Sequence, residues 1–219
     1  MRREYFQLAF RILETSTILN TNKSKLKIVQ ICFAAIGEKC ASGKSTIEVS
    51  GGNSGVGGSE PITVNPNNES SVGANDMSVG GYTNTNTTIE AMIQAFDGRE
   101  TGVAPKFSDG NFYAVINDNV FSNIGINNSN SQGFYIANKN NSGNNIGYKN
   151  GVKVINGANV STGKTAINLY IGAENGTPIT RYSLFNVQFI FIGLGISDSE
   201  ASAMYTSVQS YQTSMQRQV

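Results

Sequence analysis

Seven short apolar runs recur between Thr88 and Gly193, separated by glycine and asparagine, and this rhythm constrains the fold more than any other feature of the chain. The runs are TIEAMIQAF, NFYAVIND, FSNIGIN, GFYIANK, IGYKNGVKVI, AINLYIGA and FNVQFIFIG. Each is too short for a buried helix and is rich in β-branched or aromatic residues, and their spacing is that of strands in an antiparallel sandwich. With 24 glycines and many Asn, Ser and Thr residues to supply turns, the sequence predicts an all-β protein.

Two local signals fix parts of this pattern. Asn150-Gly151 lies between the strand-like flanks ending at Lys149 and starting at Val152, which predicts a two-residue type I′ hairpin because both central residues need positive φ. After Gly195, Ser197 followed three residues later by Glu200 forms a capping box, with Ile196 and Ala201 placed as a staple. Ala201, Met204, Val208, Tyr211 and Met215 then step by three and four, so one helix over 197–213 closes the chain and lies on the sandwich or on a subunit contact.

Residues 1–87 are less regular. EYFQLAFRIL (4–13) alternates with Phe6, Leu8, Phe10 and Ile12 on one face, although it also fits an amphipathic helix. IVQICFAAI and STIEVSG read as two strands, and 51–88 reads as a linker or long loop with one short strand at Ile62 to Val64. The expected organisation is therefore an arm, or the first strands of the sandwich, over 1–87, and a sandwich with its helix over 88–219.

Charged residues make up only 14% of the chain and the net charge is +1, so no basic footprint invites nucleic acid. The apolar stretches around Ile31 to Ile36 and Phe189 to Ile196 are too short to span a membrane. Gln7, Arg11 and Glu14 interrupt any signal-peptide core, so export by lysis, by a dedicated system or within a virus particle is expected. Without histidine, a Ser-His-Asp triad cannot be built, and Cys32 and Cys40 cannot complete a zinc site; they are either a disulfide or two thiols. No strand carries the Glu-x-Asp-x-x-Glu pattern of a glycosidase, and Gly37 to Ser45 only imitates a phosphate-binding loop, since five residues separate its glycines.

Hard oxygen ligands in turns make calcium the one metal to consider, at Asp97, Asp109 and Asp118, although no cofactor is required and solvated loops account for these residues more simply. The Asn- and Tyr-rich stretch from Asn111 to Asn159 offers amides for sugar hydroxyls and ring faces for a pyranose. The candidate carbohydrate contacts are Asp109, Tyr113, Asn127, Tyr135, Asn138, Asn140 and Tyr148; the alternative is that asparagine merely supplies turns, and the lack of Trp weighs against a strong sugar site.

Gly133-Phe134-Tyr135-Ile136-Ala137-Asn138, Gly147 to Val152, and Asn168 to Ala173 resemble successive strands of concanavalin-type, laminin-G-like domains. The tail, Ile196 to Glu200 followed by Met204-Tyr205, Val208-Gln209 and Tyr211-Gln212-Thr213, is similar to that of such domains on bacteriophage and Bacteroidetes surface proteins. Over 88–219 the resemblance implies an antiparallel jelly-roll sandwich with one C-terminal helix. It also implies a non-enzymatic virion or surface structural protein, a phage fibre or capsid-decorating component, that mediates attachment by weak glycan binding. A free lectin-like module is the alternative and a glycan hydrolase or lyase the third reading. The expected partners are other virion or surface proteins, cell-surface glycans and further copies of the chain.

Overall fold

The structure, a computed structural model, describes residues 28–32, 62–64, 72–118, 125–161, 163–183 and 185–219, the first two segments by their backbone. Among the described residues the chain forms two antiparallel sheets and one helix. The first sheet contains β1 (Ile28–Cys32), β13 (Val187–Gly193), β3 (Met77–Thr83), β8 (Gly133–Lys139), β9 (Asn145–Lys149) and β10 (Val152–Gly157), in that spatial order. The second runs β2 (Ile62–Val64), β11 (Leu169–Ile171), β4 (Ile93–Phe96), β5 (Glu100–Ala104), β6 (Asn111–Asp118) and β7 (Gly125–Asn127), with the short β12 (Glu174–Asn175) pairing parallel to β4. The helix is α1 (Asp198–Ser214). The protein is thus a β-sandwich with a C-terminal helix, and β1, β2 and β3, all before residue 88, pair into its two sheets.

Strand periodicity builds two apolar layers. Tyr135, Ala137, Ile190 and Ile192 face Ile93, Ala95, Val103, Phe112, Ala114 and Ile116 between the sheets. Their neighbours Phe134, Ile136, Phe189 and Phe191 point the other way and are buried under Ala201, Met204 and Val208 of α1. This is why FYIA and FIFI are apolar at every position: both faces of β8 and β13 are covered. Burying one such ring contributes about 1.5–3 kcal/mol.

The hairpin and helix form where the sequence places them. Asn150 and Gly151 adopt φ of 52° and 76° between β9 and β10. Ser197 Oγ accepts from Glu200 N at 3.3 Å, while Glu200 Oε2 accepts from Ser197 N at 2.8 Å. Of the predicted stripe, Ala201, Met204 and Val208 are buried and Tyr211 and Met215 are half-buried.

β3 lies inside the stretch 51–88 read as a linker or long loop, and it carries Gly80-Gly81. Both glycines are needed in this central strand. A Cβ on Gly80 would run into the Tyr135 carbonyl oxygen, and one on Gly81 would lie 2.5 Å from that of Phe189. The segments 4–13, 33–36 and 45–51, the Gly37 to Ser45 loop and Cys40 lie outside the described residues.

Candidate functional site

Side-chain alternation turns Gln94 of β4 and Tyr113 of β6 away from the core that Ile93, Ala95, Phe112 and Ala114 line. On this outer face two polar groups meet. At the start of β6, the turn residue Asp109 accepts from Asn111 N at 2.9 Å, from Asn111 Nδ2 at 3.0 Å and from Tyr113 Oη at 2.6 Å. Asn111 pairs in register with Asn127 of β7. The Tyr113 ring fits because β7 begins with Gly125, whose Cβ would collide with it. The Tyr113 hydroxyl, with the Asn111 amides, holds the Asp109 carboxyl below its ordinary value. Burial, with the facing Asp109 carboxylate, pushes the Tyr113 phenol up.

The Phe107 ring stands edge-on to Tyr113 at 5.7 Å, and the Arg181 guanidinium lies over Phe107 at 5.1 Å. The same guanidinium reaches the second group. Its Nη1 donates to Glu100 Oε1 at 2.8 Å and to Glu174 Oε2 at 2.5 Å. Gln94 Nε2 donates to Glu174 Oε2 at 2.9 Å and also to Glu100 Oε1. Thr180 Oγ1 donates to Glu174 Oε1 at 2.8 Å, and the Glu174 and Thr180 backbones pair, so 174–180 is a small hairpin laid beside β4. Arg181, at its end, has φ of 52°, a left-handed conformation uncommon for a residue with a Cβ. Burial, reinforced by the charge of Glu174 and opposed by Arg181, pushes the Glu100 carboxyl up to about 7.

The face therefore offers carboxylate acceptors, amides that donate and accept, a guanidinium and an aromatic ring. That combination complements a polyhydroxylated ligand with apolar ring faces.

Of the carbohydrate contacts expected from sequence, the structure brings together Asp109, Tyr113 and Asn127. Tyr135, Asn138 and Tyr148 are fully buried, which corrects their reading as surface groups. Tyr135 Oη donates to Asn130 O at 2.9 Å, and Asn138 closes both of its amide groups on the Ile196 backbone at 2.9 and 2.8 Å. The physical reason is the double coverage of β8 and β9, which leaves their polar tips only protein partners. Asn140 is exposed but follows β8 at the far end of the sandwich, about 17 Å along the strand from the Phe112–Tyr135 contact beside the Asp109 group.

The three aspartates considered for calcium do not converge. Asp109 and Asp118 flank β6 at opposite ends, about 20 Å apart or more. Asp97 accepts from Arg99 Nη2 at 2.9 Å and Ala166 N at 2.7 Å, and Asp118 from Asn145 Nδ2 at 2.7 Å. Among the described residues no three His, Cys, Asp or Glu side chains group as a metal site. Gln94, Glu100, Phe107, Glu174 and Arg181 were not expected; up to 87 residues separate them in sequence, so no local spacing marks them as partners.

No family model matches the chain, and no curated protein does. Among solved structures, domain 4 of AbnA, a GH43 extracellular arabinanase from Geobacillus stearothermophilus, in complex with arabinotriose, is similar at 15% identity and a TM-score of 0.45. The match covers 80% of this chain and 87% of that one. The likeness transfers no residue and no ligand.

Proposed function

We propose that this protein is a non-catalytic attachment module that binds glycans through the outer face of the β4–β7 sheet, displayed in several copies on a virion or extracellular surface. The observation that carries the reading is the convergence of Asp109, Asn111, Tyr113 and Asn127 with Phe107 and Arg181 on that face. Hydroxyls would bond the Asp109 carboxylate and the Asn111 and Asn127 amides, and a pyranose face would lie against Phe107. Single-site affinity would be modest, and display in copies raises it by avidity. The virion setting draws on the resemblance of the strand and tail segments to phage and Bacteroidetes surface domains.

The non-catalytic part rests on how the Glu100–Glu174 carboxylate pair is engaged. Glu100 and Glu174 side chains are 5% and 9% exposed, and Arg181 and Gln94 both bridge them. A glycosidase instead keeps its two carboxyls open to the scissile bond.

The test is a glycan array with full-length protein, followed by calorimetry on any hit, with calcium and with chelator. Saturable binding weakened about tenfold by Asn127→Ala, the loss of roughly 1.4 kcal/mol, supports the reading. A silent array with correctly folded, multivalent protein overturns it.

A further inference from the structure

Gln94 is fully buried, and its amide orientation is fixed by its partners. Its nitrogen donates to Glu100 Oε1 and Glu174 Oε2, whereas the flipped amide would press its oxygen against two carboxylates. That leaves Gln94 Oε1 buried and accepting from no protein group. Buried carbonyl oxygens are nearly always paired, so this one calls for a donor. A carboxyl already bonded to the amide's N–H can supply it if it carries a proton.

We propose that Glu100 keeps its proton below neutral pH and donates it to Gln94 Oε1, closing a two-bond acid–amide pair that latches the 174–180 hairpin and Arg181 onto the sheet.

The surroundings favour the proton. From the hairpin segment, Glu174 and Arg181 face Glu100, two carboxylates on one guanidinium nitrogen. Across β6, Asp118 is the register partner of Glu100, but its carboxylate accepts from Asn145 of the other sheet and interacts with Lys139, and across β4 the opposite residue is the uncharged Phe96. From the preceding loop, Asp97 is paired with Arg99. Arg181 is shared between Glu100 and Glu174, so ionised Glu100 would put a second negative charge on one guanidinium in a nearly dry site. Burial, reinforced by the charge of Glu174 and opposed by Arg181, pushes its carboxyl up to about 7.

The pair regulates the face described above, because Arg181 bonds Glu100 and also covers Phe107; Arg181 is a positioning group there. The inference rests on the glycan reading only in calling that face a ligand site, and its test uses no ligand. The folded Glu100 carboxyl lies above its ordinary value of 4.5. The stability it contributes is therefore complete below that value and is lost as pH rises through about 7. The chain has no histidine, so no imidazole titrates in the window from pH 5 to 8.

The experiment is thermal unfolding across that window for the full chain, Glu100→Gln and Glu174→Gln, with side-chain carboxyl carbon NMR of the glutamate-labelled protein. The parent should lose about 5 °C in Tm between pH 5 and 8. Glu100→Gln should be flat and at least as stable as the parent at pH 8, since its amide also donates to Gln94 Oε1, while Glu174→Gln should be weaker throughout. One glutamate carbon should titrate near 7 and vanish in Glu100→Gln. A Glu100→Gln protein less stable than the parent at pH 8 would overturn the proposal. So would a parent in which no glutamate carbon titrates above pH 6, a result that stands even if the variants fail to fold. A silent glycan array would leave this result untouched.

Discussion

Tyr148 Oη donates to Asp198 Oδ1 at 2.8 Å, so a fully buried ring of β9 ends on the first turn of α1. Lys153 Nζ, from β10, holds the other carboxylate oxygen at 2.7 Å. The hairpin predicted at Asn150-Gly151 and the helix predicted from Ser197 are thereby one unit.

Removing the Tyr148 hydroxyl should cost about 1 kcal/mol, the size of a net hydrogen bond. Lys153 and Tyr148 hold the Asp198 carboxyl below its ordinary 3.8, so the stability it contributes is present above that value and lost as pH falls through the lowered one. Thermal unfolding below pH 4 should show the parent losing ground that Asp198→Asn, already lacking the charge, does not lose.

Ser197→Ala removes the acceptor for the Glu200 amide and should destabilise by about 1 kcal/mol in chemical denaturation. Glu200→Ala breaks the reciprocal bond to Ser197 N and should act in the same direction. An unchanged midpoint in both would mean that α1 is held by its packing alone.

Gly151→Val should be far more damaging. Its φ of 76° disfavours a β-branched residue, and a Cβ there would sit 3.0 Å from Ser202 Cα and Tyr205 Cβ. Asn150→Pro should also damage folding, because Asn150 N donates to Phe134 O and proline has no such hydrogen. A cost above about 2 kcal/mol, or loss of soluble protein, is expected for each.

Gly80→Ala and Gly81→Ala probe the strand that the sequence hid. Either methyl group meets backbone of a neighbouring strand, and overpacking of this kind costs about 1–3 kcal/mol or more. Wild-type stability by denaturant titration would mean that β3 does not run between β8 and β13.

What could be read from sequence follows from how local the cause is. NFYAVIND and GFYIANK coincide with β6 and β8, because a covered strand needs a continuous run of apolar and aromatic residues. MSVGGYT and ETGVA were passed over as β3 and β5. Their glycines depress strand propensity locally, whereas the reason for glycine at 80 and 81 is a neighbour more than fifty residues away. The site divides in the same way. Asp109 and Tyr113 are four residues apart and are both among the contacts expected from sequence, while Tyr135 and Tyr148 are misread because the layer that buries them is built from α1 and the opposite sheet.

The sequence by itself determined the strand rhythm, the Asn150-Gly151 turn, the capped helix and the exclusion of histidine chemistry, since these depend on propensities and residue types within a few positions. Only the tertiary structure decided which tyrosines are core, and that Gln94, Glu100, Glu174 and Arg181 share one cluster. Burial and charge pairing are set by groups that approach through space, and strand pairing brings together residues whose separation along the chain carries no trace of that contact.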